Sequence, residues 1–367
     1  MEGKAQGSFE YILMLSGVLL IVIMIVFILQ GTVSSANNTV SAQGSTVSSM
    51  VDASKYTPGA NPAFSPDSPK DGATARELQS VAYVEEKDAA LNGLEFSWNS
   101  TNYTLYNGSL VLLMNFDNVA ALGETTAVPR GSSVYRNNGT VTGATWTSGG
   151  KYGGAFSFDG NDVVSVPINY RLSTTRGPST LEAWIKPFTT ADCSIITDNC
   201  LEWGFTLSGG NVNGYVFGAV SGGAVLANQW YHIALVHEHP TGLTNTLVKM
   251  YVNGELKNTN TLTVASLDAY TDSPLWIGRD GCYTNAGFNG TIDEVRVWNR
   301  ALSAQEVRMH YMTNLAKLQP KVWRFDSNVS VSSGLNSYQI STLSDKLQRK
   351  STELRTIRGC SLPWPLC

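Results

Sequence analysis

Few residues in this chain have the types and spacing that catalysis or metal binding requires. His237 and His239 put two imidazoles on one face of an extended segment, a spacing that can bind a transition metal. Zinc needs further ligands, and none is identifiable, so the pair is interpreted as the solvated end of a strand. No nucleophile elbow, phosphate loop or Ser-His-Asp order occurs in the sequence. The sequence therefore predicts binding rather than catalysis, and no catalytic residue is assigned.

The five cysteines are a second chemical group. Cys193 and Cys200 could close a hairpin, and Cys360 and Cys367 flank a short C-terminal segment. Cys282 is left over, or pairs with Cys193 or Cys200 if the loops converge. These spacings are too sparse for zinc, so disulfides in an oxidising compartment are predicted, with the connectivity open.

Composition indicates an exported, β-rich chain. Hydrophobic residues make up 43% and charged residues 15%, with 34 glycines, and a net charge of -4 excludes a basic surface for nucleic acid. Asn-x-Ser/Thr sequons, which are acceptors for glycosylation, are crowded between residues 99 and 109. The candidate asparagines are Asn37, Asn99, Asn102, Asn107, Asn138, Asn289 and Asn328.

An uncharged apolar run from Ile12 to Leu29 opens the chain. Its length is near the ~20 residues that an α-helix needs to cross a bilayer, so a membrane-bound start is predicted. Glu10 directly precedes the run, and a carboxylate drawn into a membrane needs a partner. No small-residue cleavage site follows, which excludes an ordinary secretory signal.

The start of the chain resembles the class III signal peptide of archaeal type IV pilin-like proteins. A short charged leader is followed by Gln6, Ser8, Glu10 and Tyr11, in the order that is typical of that signal. The resemblance implies that a prepilin-type peptidase cuts between Ala5 and Gln6. It also implies that Glu10 faces the new amine of a neighbouring pilin subunit. The alternative is a plain N-terminal anchor.

Alternating apolar residues predict many short antiparallel strands and one helix. The helix is expected from a capping box at Ser303 and Glu306. Asn-Gly at 253–254 predicts a hairpin. Trp184, Trp230 and Trp298 are expected in the core, and Trp203 or Trp276 as a stacking platform for a sugar. Strands are predicted around 81–84, 94–98, 110–116, 180–185, 230–236, 247–252, 275–277 and 292–298.

Six motifs resemble those of the laminin-G/concanavalin-A-like jelly roll. They lie at residues 110–117, 151–160, 181–187, 229–236, 249–255 and 290–303. The resemblance implies a β-sandwich of an adhesive or sugar-binding type. It also implies calcium at Asp117, Asn138 and Asp293, whose alternative role is to tie strand ends by hydrogen bonds. The family's usual carboxylate before Asn-Asn-Gly is absent at residues 131–133. The fold also occurs in glycoside hydrolases, for which Asp159, Asp162, Glu182 and Glu202 are available.

The segments on either side resemble two halves of an archaeal Ig-like module, with the jelly roll inserted between them. Regular structure is not expected in the Pro-rich segment before them. The predicted organisation is a leader (1–5), a transmembrane pilin-like helix (6–52), a Pro-rich linker (53–72), a split Ig-like domain (73–109 with 318–359), a jelly roll (110–317) and a tail (360–367).

These features together predict a pilin-like cell-surface protein whose jelly roll binds a glycan or a surface protein. Loop position and polarity select Asp192, Asp198, Asn199 and Asp280 as exposed ligand-binding residues at the rim. One alternative is a structural pilus or envelope subunit with the jelly roll as spacer. Another is a membrane-tethered glycoside hydrolase.

Overall fold

A computed structural model describes residues 62–65, 68–86, 91–168, 177–198, 203–216, 218–238, 245–263, 274–281, 287–344 and 350–359. All of these belong to one compact unit, residues 57–367. Within these ranges no helix is long and apolar enough to cross a membrane. The predictions for the leader, the pilin-like helix and the tail lie outside the described residues, as do Ala5, Gln6, Glu10, Asn37, Asn199, Cys200, Cys282, Cys360 and Cys367.

The described chain is almost entirely antiparallel β-structure, as predicted. In chain order the elements are β1 (Ala63–Phe64), β2 (Ala73–Ala75), β3 (Glu77–Glu85), β4 (Leu91–Trp98), β5 (Thr101–Asn107), β6 (Leu110–Met114), a 3-10 turn (Ala120–Leu122), β7 (Thr140–Thr142), β8 (Thr145–Thr147), β9 (Ala155–Asp159), β10 (Val163–Val166), β11 (Ser179–Pro187), β12 (Cys193–Thr197), β13 (Trp203–Ser208), β14 (Asn211–Val216), β15 (Ala219–Ala224), β16 (Tyr231–Glu238), β17 (Asn245–Val252), β18 (Glu255–Thr263), β19 (Leu275–Ile277), β20 (Asn289–Trp298), α1 (Ala304–Met312), β21 (Thr313–Gln319), β22 (Val322–Ser330), β23 (Gly334–Ser344) and β24 (Lys350–Gly359).

Strands β6 to β20 form a two-sheet sandwich. The front sheet has the order β15-β14-β13-β12-β19-β10-β7, and the back sheet the order β18-β17-β16-β11-β20-β9-β8, with β6 also paired to β20. Apolar side chains from both sheets fill the space between them, among them Phe156, Leu181, Phe205 and Ile277. This alternation of buried and outward residues is what a sandwich requires.

Two turn sequences, Asn253–Gly254 and the Asp-Gly-Asn-Asp segment at 159–162, join strands in different ways. Asn253 and Gly254 join β17 to β18 with positive φ angles of 53° and 74°, which confirms the predicted hairpin. The turn at 159–162 instead carries the chain from β9 in the back sheet to β10 in the front sheet. A turn signal in the sequence marks where the chain reverses, but the partner of each strand is decided by the packing of the sandwich.

The segments before and after the sandwich form two more sheets, with orders β1-β3-β22-β21 and β2-β24-β23-β4-β5. We call β1–β5 with β21–β24 the flanking module. Its strand β1 pairs with β3 at Ala63 and Phe64, inside the predicted Pro-rich linker, so the expectation of no regular structure there is wrong. A two-residue edge strand fits between Pro62 and Pro66 because an edge needs few ladder hydrogen bonds. The ring of Phe64 packs edge-on against Tyr338, with 5.0 Å between ring centroids.

The back sheet of the sandwich packs on the flanking module through a shared apolar core. Val236, Tyr251 and Trp298 of the sandwich are buried in one cluster with Phe96 and Trp323 of the module. The outer side of the back sheet is therefore not a solvated face. None of the described residues of the front-sheet strands belongs to this shared core.

Helix α1 lies at this junction and begins as predicted. The Ser303 side chain accepts the N–H of Glu306, and the Glu306 side chain accepts the N–H of Ser303, which together form a capping box. Val307, Met309 and His310 are the buried residues of the helix. A single short helix thus connects the last strand of the sandwich to the module.

Candidate ligand-binding site

The outer face of the front sheet carries two aromatic rings in one cross-strand row. Strand register places the members of this row side by side, and Trp276 and Tyr215 are both half-buried. They are separated by three inter-strand spacings, about 14 Å. Strand by strand the row reads Ser165, Trp276, Thr197, Gly204, Tyr215 and Ala219.

Gly204 lies between the two rings in this row, and it is buried. Its φ of 152° and the position of Ile196 both exclude a side chain, because a Cβ at this site would lie 2.2 Å from the Ile196 carbonyl oxygen. Thr197, beside it, is covered, and its Oγ1 donates to the carbonyl of Arg279 at 3.2 Å. The row therefore has a half-buried aromatic ring on either side of two small, buried residues.

The next row of the same face is entirely polar and uncharged. It consists of Ser194, which is only 2% exposed, and of Thr206, Asn213 and Ser221, which are half-buried or exposed. Neither row contains an acidic or basic side chain. Aromatic rings among hydroxyl and amide groups are the chemistry that recognises a ligand with both apolar and hydroxylated surfaces. Tyr215 was not selected from the sequence, because only the register shows that it shares a row with Trp276.

A second group of interest lies at the loop that joins β8 to β9. Asp117, just after β6, accepts the N–H of Gly154 through Oδ1 at 2.9 Å. Asp293 in β20 accepts the N–H groups of Lys151 and Tyr152 through Oδ2, at 2.8 and 3.1 Å. The structure therefore brings together two of the three residues that the resemblance marks for calcium.

Asp293 is buried and Asp117 is half-buried, and a third carboxyl, that of the buried Glu294, is close to both. Burial raises the pKa of Asp117 and of Asp293 well above the ordinary range, and the charge of Glu294 raises both further. Glu294 has a left-handed φ of 52° at a bulge in β20, an uncommon conformation for a residue other than glycine. Three carboxyl groups are thus concentrated near one strained position of the sandwich, and their proximity favours the uncharged form of Asp117 and Asp293.

The donor set fits calcium only in part. Calcium takes six to eight oxygen ligands, but both oxygens of Asp293 already accept N–H groups, Oδ1 from Glu294 at 2.8 Å. Asn138 accepts the N–H of Gly131 at 3.3 Å, in a different loop. Among the residues that the structure describes, no cluster of three or more His, Cys, Asp or Glu side chains could hold a metal. The hydrogen bonds support a role in tying strand ends, and calcium stays a prediction.

Comparison with known proteins agrees with this architecture. Residues 158–308 match the laminin G-type family model described as the concanavalin A-like lectin/glucanases superfamily. These residues are a concanavalin A-like jelly-roll domain. A search of curated protein sequences finds no match to the chain.

Several solved structures are similar to this chain at low identity. Domain 4 of the extracellular GH43 arabinanase AbnA from Geobacillus stearothermophilus, in complex with arabinotriose, is 20% identical, with a TM-score of 0.41 over 55% of this chain and 97% of that chain. The binding domain of Paraclostridial Mosquitocidal Protein 1 is 17% identical, with a TM-score of 0.43 over 58% and 55%. Trypanosoma rangeli sialidase in complex with sialic acid is 17% identical, with a TM-score of 0.43 over 57% and 33%. The match thus spans about half of the mosquitocidal binding domain and a third of the sialidase.

The predicted rim residues of the concanavalin A-like domain do not form one site. Asp192 is exposed, but Asp198 and Asp280 are only 6% and 1% exposed, so the expectation that both lie on exposed loops is wrong. Asp198 turns inward at the end of β12, where it accepts the N–H of Trp203 at 2.9 Å. Asp192 precedes the other end of β12, roughly 20 Å away for a strand of this length. These residues were predicted to be exposed because they are polar. Whether each one is buried depends instead on the turn next to its strand.

The tryptophans divide differently from the sequence prediction. Trp184 and Trp298 are buried, as predicted, but Trp230 is only half-buried, so its assignment to the core is wrong. It precedes β16 on a loop that only partly covers it. Trp203 is 3% exposed and cannot be a stacking platform. Trp276 is the remaining platform candidate.

The modification candidates differ in accessibility. Asn99, Asn102 and Asn328 are exposed, whereas Asn107, Asn138 and Asn289 are half-buried. Cys193 is a free, half-buried cysteine whose thiol pKa burial raises to about 12. Its predicted partners lie outside the described residues, so the disulfide connectivity stays a prediction.

Proposed function

We propose that this chain is a cell-surface binding protein whose concanavalin A-like domain binds an uncharged glycan on the outer face of the front sheet. The observation that carries the proposal is the row from Trp276 to Tyr215, in which two half-buried aromatic rings lie about 14 Å apart on the same face. Sugar rings have apolar C–H faces that stack on aromatic rings and hydroxyl groups that need polar partners. The side chains of Thr206, Asn213 and Ser221 in the neighbouring row are such partners. Because the two rows are uncharged, they favour a neutral ligand over an acidic one.

Replacing Trp276 with alanine is expected to weaken glycan binding by at least about tenfold, because a central aromatic anchor typically contributes more than 1 kcal/mol to binding. Binding is measured first on a glycan array, and then by calorimetry of the full chain with the best neutral oligosaccharide. Trp230→Ala is the matched control, since this half-buried tryptophan lies in the loop before β16 and not in the row. Equal affinity of both variants, or preference for sialylated or uronic glycans, would contradict the proposed face.

The N-terminal segment is proposed to hold the concanavalin A-like domain at the cell surface. The leader motif before the apolar run supports an archaeal type IV pilin-like protein anchored in the cell membrane, with the jelly roll outside the cell. The partners proposed for this part of the chain are the membrane, a prepilin-type peptidase and neighbouring pilin subunits. Calcium at Asp117, Asn138 and Asp293 is the proposed cofactor.

The site at which the N-terminus is cleaved tests the proposal of a pilin-like anchor. The mature protein is expected to begin at Gln6, with Glu10 as its fifth residue, because the peptidase of the proposed class would cut after Ala5. N-terminal sequencing of protein purified from its native membrane gives the answer directly. Retention of Met1, or cleavage beyond Leu29, would leave an anchored or secreted jelly-roll protein without a pilin role.

Two alternatives to a glycan-binding protein are a structural subunit and a glycoside hydrolase. As a structural pilus or envelope subunit, the chain would bind no glycan, and the calorimetric experiment separates this case. As a glycoside hydrolase, it would need a pair of carboxyls that reach a glycosidic bond. Glu182 is 1% exposed and accepts hydrogen bonds from Trp298 and His310, which argues against it as one of that pair. We therefore propose a binding protein rather than an enzyme.

A further inference from the structure

The sequon asparagines that the structure exposes all lie in the flanking module. Asn99 is in the turn between β4 and β5, Asn102 is in β5, and Asn328 is in β22. Asn138 and Asn289, in the concanavalin A-like domain, are half-buried. An enzyme that attaches a glycan must reach the side-chain amide, so exposure separates these candidates.

Asn102 and Asn328 point outward from the two sheets of the module. The inner faces of these sheets meet where Phe96 of β4 packs on Phe325 of β22, with 5.0 Å between the ring centroids. Asn102 is paired with Ser97, the neighbour of Phe96, so its side chain lies on the opposite face from that ring. The residues on either side of Asn328 are only 6% and 3% exposed, so the Asn328 side chain also points outward. Each outer face of the module therefore presents one sequon asparagine from within a strand.

The backbone at both positions is paired with one neighbouring strand only, in the described part of the chain. β5 is the last strand of its sheet, so Asn102 is paired with β4 alone. The pairing of β21 with β22 ends one residue before Asn328, which is paired with β3 alone. A strand edge opens more easily than a strand that is paired on both sides. Asn289 differs, because β9 pairs with it and its carbonyl also accepts the N–H of Phe188.

The contacts of the side-chain amides separate Asn99 from the other two exposed asparagines. Nδ2 of Asn99 donates to Oδ1 of the buried Asn336, and its Oδ1 accepts the N–H of Ser337, both at 2.9 Å. Asn102 accepts a hydrogen bond through Oδ1, which leaves Nδ2 as the free end of its amide. No other described side chain holds the amide of Asn328. Asn99 is thus exposed but held at both ends, whereas the nitrogen atoms of Asn102 and Asn328 face solvent.

We propose that Asn102 and Asn328 carry N-linked glycans, so that the flanking module is the glycosylated part of this protein. In the transfer, Nδ2 forms a bond to the anomeric carbon of a sugar and loses one proton. The bond that breaks joins this carbon to a phosphate oxygen of a lipid-linked sugar donor, and the lipid phosphate leaves. The inference rests on the proposed display of the chain outside the cell, because sequons are glycosylated in exported proteins.

Glycans at these two positions lie away from the candidate ligand-binding face. The module packs on the back sheet, whereas the row of Trp276 and Tyr215 belongs to the front sheet. No residue of that row, or of the polar row beside it, is part of a sequon. The glycans therefore coat the module and not the face that is proposed to bind a ligand.

Mass spectrometry of peptides from the full chain, purified from its native cells, tests the proposal. Asn102 and Asn328 are expected to carry glycans, and Asn138 and Asn289 to be unmodified. Asn102→Gln and Asn328→Gln should each remove one glycan from the intact mass. Ser330→Ala is a second variant for Asn328, since it keeps the asparagine but removes the sequon hydroxyl, and the same glycan should be lost.

Asn138→Gln is the matched control, because it changes a half-buried sequon of the concanavalin A-like domain. Its mass should change only by the substitution itself, and the loss of a glycan in this variant would contradict selection by exposure. The double variant Asn102→Gln/Asn328→Gln should bind a neutral oligosaccharide as tightly as wild type. A change in affinity would contradict the placement of the glycans away from the binding face.

Protease treatment of intact cells distinguishes failure of this inference from failure of the proposed display. A chain that is cleaved at the cell surface but bears no glycan at Asn102 and Asn328 overturns the inference and leaves the proposed binding function untouched. A chain that stays inside the cell and bears no glycan overturns the display as well.

Discussion

Replacing Trp298 with alanine is expected to lower the free energy of unfolding of the 57–367 unit by about 4 kcal/mol. The ring is fully buried in the core that the sandwich and the flanking module share, and its N–H donates to Glu182 at 3.0 Å. The substitution therefore leaves a cavity and also removes a donor from a buried carboxylate. Urea unfolding followed by far-ultraviolet circular dichroism measures the loss without relying on tryptophan fluorescence.

Trp230→Ala is the control for Trp298→Ala. This tryptophan belongs to the same domain but is half-buried beside β16, so its replacement should cost clearly less. The Trp298 variant should also unfold both parts together, because they share one core. A loss below about 1 kcal/mol, or separate unfolding of an intact module, would contradict the shared core.

Acidification is expected to cancel the contribution of Glu182 to stability. The folded protein lowers the pKa of this carboxyl to about 2, whereas an unfolded chain titrates it near 4.3. Its contribution is therefore present above about pH 4.3 and is lost as the pH falls toward 2. The shift corresponds to about 3 kcal/mol, an order-of-magnitude figure for a buried, paired group.

The measurement is the difference in free energy of unfolding between wild type and Glu182→Gln at a series of pH values. This difference is expected to be largest above pH 4.3 and to shrink as the pH falls, because a protonated glutamate and a glutamine are both uncharged. Taking this difference removes the effects of Asp117 and Asp293, which are the same in both proteins. The pKa values of these two carboxyls are raised in the folded protein, so their effect on stability has the opposite pH dependence: it is favourable at low pH and is lost as the pH rises. Glu77→Gln, at an exposed position of β3, is the control. A difference that stays constant down to pH 2 would show that Glu182 is not charged in the folded protein.

The sequence alone determined the fold class, most of the strands and the start of the helix. These follow from local rules: alternation marks a half-buried strand, and the Ser303–Glu306 capping box marks where α1 begins. The motifs of the jelly roll were also readable, since each combines strand residues with the turn that ends the strand. The sequence also singled out Trp276, although it could not separate Trp276 from Trp203.

Only the tertiary structure decided which side chains meet. Tyr215 and Trp276 share a row because of strand register, and a shift of one residue would turn either ring into the core. Asp198 and Asp280 look like surface residues in the sequence but are buried by the turns around them. The charged side chain of Glu182 is 128 positions from His310, and no local pattern connects the two. Such contacts depend on how the back sheet packs on the flanking module, which is a property of the whole chain and not of any short segment of it.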